Sequence, residues 1–195
     1  MLSSARKNCC NPRVISLIQR RPLTVLLTGL LLATAFLPVA RASDKKVKTP
    51  IMEDVGDGTR RLLMPDDVME AVFREFPGSR MPVETDFSDE MKAYYNERLI
   101  GVHPAVAFGD FNGDKKRDYL LLLITGDTKW GPICELVVAG GAKKGFDIYR
   151  LGEVYNFKDN YVSFQYEKLL MGRFKKGAWY ITWDPKKKQY NLAKS

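Results

Sequence analysis

Gly109-Asp110-Phe111-Asn112-Gly113-Asp114-Lys115-Lys116-Arg117-Asp118 runs directly into Tyr119-Leu120-Leu121-Leu122-Leu123-Ile124. Short oxygen-bearing side chains recur at Asp110, Asn112, Asp114 and Asp118, with apolar runs on either side. Such spacing lets one tight loop aim several oxygens at one point, as a hard cation such as calcium requires. The apolar run after the loop reads as a strand covered on both faces. A loop held between two strands puts a β-sheet at the centre of the fold.

Working outward, residues 105–108 read as the strand before the loop and 119–125 as the strand after it. Gly126-Asp127 and Lys129-Trp130-Gly131-Pro132 mark the next loop. Residues 133–139 and 146–151 flank the hairpin-type turn Gly140-Gly141-Ala142-Lys143-Lys144-Gly145. Residues 161–166 alternate as a strand. Residues 177–183 and 189–192 form a closing hairpin around Asp184-Pro185-Lys186-Lys187-Lys188. Residues 155–157 fit either a strand or a turn.

The region before the loop is helical in pattern. Pro65-Asp66-Asp67 suits a first helical turn, since proline needs no N–H partner there and carboxylates favour the positive end of the dipole. Val68, Val72, Phe73 and Phe76 follow at helical spacing, and Pro77-Gly78 ends the run. Ser88 caps a second helix, with Met91, Tyr95 and Leu99 on one face and Gly101 as its stop. The expected fold class is therefore α+β: two N-terminal helices packed on a mainly antiparallel sheet, a meander of about six to seven strands.

The leading segment has its own signature. A basic stretch ends at Arg20-Arg21, an apolar run occupies 23–40, and Ala40-Arg41-Ala42 puts small residues where a signal peptidase reads. Residues 1–42 are expected to be a signal peptide cleaved after Ala42, with an uncleaved anchor helix as the alternative. Residues 43–61 read as a flexible polar segment, and 62–195 as one domain. The predicted location is secreted or periplasmic. Membrane association would come only through an uncleaved leader.

Charge excludes a partner class. The chain has a formal charge of +8, but six of its 31 basic residues lie in the leader, which has no Asp or Glu; the other 25 face 23 acidic residues. A nearly neutral body does not call for nucleic acid. Cys9 and Cys10 fall in the leader, so the remaining chain holds only Cys134 and no internal disulfide. Cys134 reads as a small buried strand residue.

The stretch from Phe108 to Leu123 resembles the calcium-binding motif of FG-GAP and VCBS-type repeats, Gly-Asp-Phe-Asn-Gly-Asp-Gly-x-x-Asp followed by an apolar strand. The resemblance implies calcium held by side-chain oxygens of Asp110, Asn112, Asp114 and Asp118 and by the Lys116 carbonyl. This chain departs from the family at Lys115, where glycine is usual. If that backbone position requires positive φ, lysine costs on the order of 1 kcal/mol. Lys115, Lys116 and Arg117 also place three positive charges beside the carboxylates and weaken their pull on a dication. The alternative reading needs no metal: the Asp and Asn side chains form turns with the loop's own amides. Such repeats usually build propellers, but no second copy of the motif occurs here, so a full propeller is excluded. The layout is also similar to small bacterial envelope proteins with one such motif after a signal peptide, a likeness that carries no activity.

Other chemistry is sparse. His103 is the single histidine, which excludes histidine-pair zinc sites, and it reads as a loop or capping residue. There is no nucleophile elbow, Walker loop or dinucleotide fingerprint. Lysines at 143–144, 175–176 and 186–188 interleave with Phe174, Trp179, Tyr180, Trp183 and Tyr190. They read as solvated hairpin tips with half-buried aromatics, or as a patch for an acidic polymer or glycan. The expected function is a non-enzymatic extracytoplasmic domain with one structural calcium loop that binds an envelope partner or polymer. The alternative is a small extracytoplasmic hydrolase using carboxylates such as Glu84 and Asp86.

Overall fold

The computed structural model describes residues 47–54, 56, 60–98, 103–129 and 131–194. The expected signal peptide, its cleavage point and the helix stop at Gly101 lie outside the described residues. Ser43–Ser195 is one compact unit. Among the described residues, two apolar cores form within this unit.

Two helices on one six- to seven-stranded sheet is not the arrangement that forms. The described residues contain ten strands in three sheets, and the helices sit mid-chain. A short hairpin of β1 (Ile51–Asp54) and β2 (Arg60–Leu63) comes first. Helices α1 (Asp66–Glu75) and α2 (Asp89–Arg98) follow. The antiparallel meander β3 (Val106–Gly109), β4 (Asp118–Thr128), β5 (Gly131–Gly141) and β6 (Phe146–Val154) forms one sheet. A 3₁₀ turn, Phe157–Asp159, leads to a second meander: β7 (Asn160–Gln165), β8 (Lys168–Arg173), β9 (Gly177–Asp184) and β10 (Gln189–Lys194).

The extra strands escape sequence reading for identifiable reasons. β1 and β2 are charged and at most half-buried, so they show no alternation, and they cross a stretch that reads as flexible. β8 follows β7 through Tyr166-Glu167, both with left-handed backbone at φ 52° and 58°. A tight hairpin turn needs that geometry, but it is usually announced by Asn-Gly, not Tyr-Glu. Gly126 reads as a loop residue, yet β4 continues through it by an irregularity between Ile124 and Gly126.

β4 explains why two sheets form. All residues from Asp118 to Ile124 are buried. Side chains alternate across a strand. Leu121 and Leu123 face Val68 and Val72 of α1, which lies on the outer face of the first sheet. Leu120, Leu122 and Ile124 face the second sheet through Val162, Leu169, Met171 and Ile181. Fully burying each leucine is worth about 2–3 kcal/mol, so a strand apolar on both faces stabilises a three-layer arrangement. Phe73, expected on the core stripe of α1, is instead 40% exposed. α2 joins the inter-sheet core through Met91, alongside Phe87 and Phe157. At the edges β3 approaches β7, with the Val162 N–H donating to the Pro104 carbonyl at 2.9 Å. At the opposite edges β6 meets β10 through Tyr149 and Tyr190.

Candidate functional site

The loop joins β3 to β4, where register pairs Gly109 with Asp118. Its inner end is Asp118, fully buried at the start of β4. One carboxylate oxygen accepts the Phe111 N–H at 2.8 Å, and the other accepts the Gly141 N–H of β5 at 2.7 Å. The Tyr190 hydroxyl of β10, in the second sheet, donates to it at 3.4 Å. This one carboxylate ties the loop, its own sheet and the facing sheet together. Burial pushes Asp118 above the ordinary carboxylate range; the Gly141 and Phe111 amides oppose the rise, and Asp114 and Asp110 add to it.

Gly141 is needed for this contact. A Cβ there would lie 2.8 Å from the Arg117 carbonyl oxygen and 2.9 Å from Lys116 Cβ. The close approach brings the Gly141 amide onto Asp118.

The outer end is exposed and builds turns from its own amides. Asp110 accepts N–H groups from Gly113 at 2.7 Å, Asp114 at 3.1 Å and Lys115 at 2.8 Å. Asn112 Oδ1 accepts the Asp114 N–H at 2.9 Å. Asp114 accepts the Lys116 N–H at 2.9 Å and the Lys116 ammonium at 3.2 Å. The Lys116 amide, then its ammonium, holds Asp114 below its ordinary value against a small desolvation cost. Lys115 sits at φ 66°, the left-handed conformation that glycine takes without strain. Arg117 does not project freely into solvent: its guanidinium donates to the Lys48 carbonyl at 3.0 Å and lies over the Phe108 ring.

Oxygen chemistry suits calcium at Asp110, Asn112, Asp114, Asp118 and the Lys116 carbonyl. The carboxylates, however, aim at amides. Among the described residues no group of three or more His, Cys, Asp or Glu side chains is placed to hold a metal ion. Calcium would need Asp114 to exchange the Lys116 ammonium for the ion.

The structure sorts the other sequence candidates. His103 is buried, with its ring edge-on to Phe87 and its Nδ1 accepting the Ala105 N–H at 3.2 Å. Burial first, and Arg60 second, lower its pKa to about 4, so it is neutral at pH 7. Cys134 is buried in β5, and burial pushes its thiol up to about 12, which keeps it unreactive. Asp86 is clamped by the Arg80 guanidinium at 2.6 and 3.0 Å and by the Val83 N–H. It is not free for acid–base work.

The lysine and aromatic positions divide. Phe174 packs against Tyr94, with Lys175 over its ring. Trp183 and Tyr190 gather beside the loop with Tyr149: Trp183–Tyr190 ring centres lie 4.8 Å apart, Tyr149–Tyr190 5.2 Å and Tyr149–Trp183 5.8 Å. Sequence reading did not single out Tyr149; its only signal was an aromatic in a strand beside a lysine-bearing turn. It also did not foresee buried Glu135, whose carboxylate accepts two bonds from the Arg150 guanidinium, one at 2.9 Å. A lone acid inside an apolar strand was the available signal.

No family model, no curated protein and no solved structure matches this chain. The likeness to calcium-binding repeats therefore stands on the loop's own residues.

Proposed function

We propose that this chain is a secreted or periplasmic, non-enzymatic domain in which the loop at 110–118 is a structural clasp, tightened by calcium, that presents a surface to an envelope partner or polymer. The carrying observation is Asp118, buried and bonded to Phe111, Gly141 and Tyr190. A catalytic carboxylate must reach substrate, and this one reaches only protein. Asp114, the accessible carboxylate nearby, is held ionised by Lys116, the wrong state for a general acid. The extracytoplasmic location rests on the leader sequence. Calcium rests on the oxygen donors and their spacing.

The test is thermal melting of the Ser43–Ser195 unit with millimolar calcium and with chelator, in parallel with Asp114→Ala. A ligand that binds only the folded state raises its midpoint. The proposal expects calcium to raise the midpoint of the parent and not of the variant. Equal parent midpoints remove calcium and leave the amide-built clasp, which Asp118→Asn tests separately.

A further inference from the structure

We propose that the groove between the loop at 110–118 and the turns joining β5 to β6 and β9 to β10 binds an acidic glycan, with sugar rings on Tyr149 and Trp183 and acid groups on Lys143 and Lys188. This rests on the reading of the chain as a non-enzymatic envelope-binding domain and names the polymer class.

The groove encloses about 310 Å³. That lies at the lower end of the roughly 300–1,000 Å³ of small-molecule sites and suits one or two sugar rings of a chain, not a folded partner. Tyr149 and Trp183 line it, and Tyr190 supports both from behind. The hydroxyl that anchors Tyr190 reaches Asp118, so the clasp also fixes the aromatic wall. Aromatic faces stack on flat, weakly polar ring faces without demanding a particular sequence.

The polar lining fits a hydroxyl-rich anion. Asp114 and Asp147 offer acceptors to hydroxyl groups, while Lys143 and Lys188 offer donors from two separate hairpin turns. Among the described residues neither lysine takes part in an ion pair, and Asp147 takes part in none. Lys144, Lys186 and Lys187 stand on the same turns and add positive charge. Unpaired cations lining the same groove as an aromatic wall complement a chain carrying both sugar rings and carboxylates. A nucleic acid would bring its dense phosphate charge against Asp114 and Asp147. A neutral glycan would leave the lysines unused.

The experiment titrates the Ser43–Ser195 unit calorimetrically with oligogalacturonate, maltohexaose and poly-L-glutamate of matched length. Oligogalacturonate is expected to bind saturably. Maltohexaose should bind about tenfold more weakly through loss of charge pairing, and poly-L-glutamate should not saturate because it lacks rings. Trp183→Leu is expected to weaken the uronate about tenfold or more. Should that variant not fold, Lys143→Gln with Lys188→Gln, both on exposed turns, decides the matter with a loss of similar size. The proposal is overturned by absence of saturable uronate binding at millimolar concentration. It is overturned equally by poly-L-glutamate binding as well as the uronate, or by undiminished binding in a folded Trp183→Leu variant. Failed glycan binding with an intact calcium response removes this inference alone. Release of shortened uronate oligomers would instead overturn the non-enzymatic reading while leaving the groove as the binding site.

Discussion

Asp114 and Asp118 lie four residues apart and do opposite things. Asp118 is sealed under β5 and β10, serves amides of both loop and sheet, and is pushed toward its neutral form by burial. Asp114 is open to solvent, serves the loop's own Lys116 and is pushed toward its charged form. The same side chain is a joint between sheets at one position and an adjustable surface charge at the other. Burial, more than residue type, decides what each carboxylate contributes.

Removing the buried end should have the largest effect. Asp118→Asn leaves one carbonyl oxygen for two N–H donors and turns an amide NH₂ toward the second. We expect a loss of about 3 kcal/mol by urea denaturation, since a buried donor left without its partner bears the full desolvation cost. A loss below that of Asp114→Asn would erase the contrast. Gly141→Ala attacks the same joint from β5. Its Cβ would meet the Arg117 carbonyl oxygen, and overpacking of this kind costs about 2 kcal/mol in the same measurement.

The difference between the two ends also governs what the sequence could reveal. The loop, the strands on either side of it and α1 were legible because their determinants are local. Oxygen spacing, the apolar run at 119–124 and the proline with two aspartates each act within a few residues. Positive φ at Lys115 was raised only as a condition, through the glycine usual there in the motif the loop resembles, and the backbone does take it, at φ 66°. The split into two sheets was not legible, because it depends on which partner each face of β4 meets. Asp118 reads from the sequence as a metal-type oxygen donor, and nothing near it marks a joint reaching Gly141 and Tyr190, far along the chain. The turn at Tyr166-Glu167 hid β8 because neither residue advertises left-handed backbone. In the groove, Trp183 was visible as a strand aromatic, while the company of Tyr149 required the edge contact of β6 with β10.

Sharpening the comparison from the outer end calls for smaller changes. Lys115→Gly removes left-handed strain at an exposed position and should stabilise the unit by about 1 kcal/mol. The midpoint in urea should rise with an unchanged slope. Tyr190→Phe returns to the inner end but deletes only a long 3.4 Å bond, so about 0.5 kcal/mol should be lost. An effect as large as that of Asp118→Asn would mean that the link between sheets, not the amide pair, carries the joint.

The smallest effect separates the two carboxylates by the sign of their pH response. Asp114 has a folded-state pKa below its ordinary value of 3.8. Its contribution is present above that value and is lost as pH falls through the lower folded value. Asp118 has a folded-state pKa above 3.8. Its favourable term is fully present below 3.8 and is lost as pH rises through the raised value. Urea midpoints followed downward from pH 6 through both folded values should therefore respond oppositely to the two substitutions. Relative to the parent, Asp118→Asn should lose the gain that acidification brings as Asp118 takes up its proton. Asp114→Asn should lose a few tenths of a kcal/mol at pH 6, because solvent screens an exposed pair. That deficit should fade only as pH drops through the lowered folded value of Asp114, and it should shrink in 1 M salt. A deficit for Asp114→Asn that persists at low pH would show that its amide bonds, and not its charge, hold the outer turn.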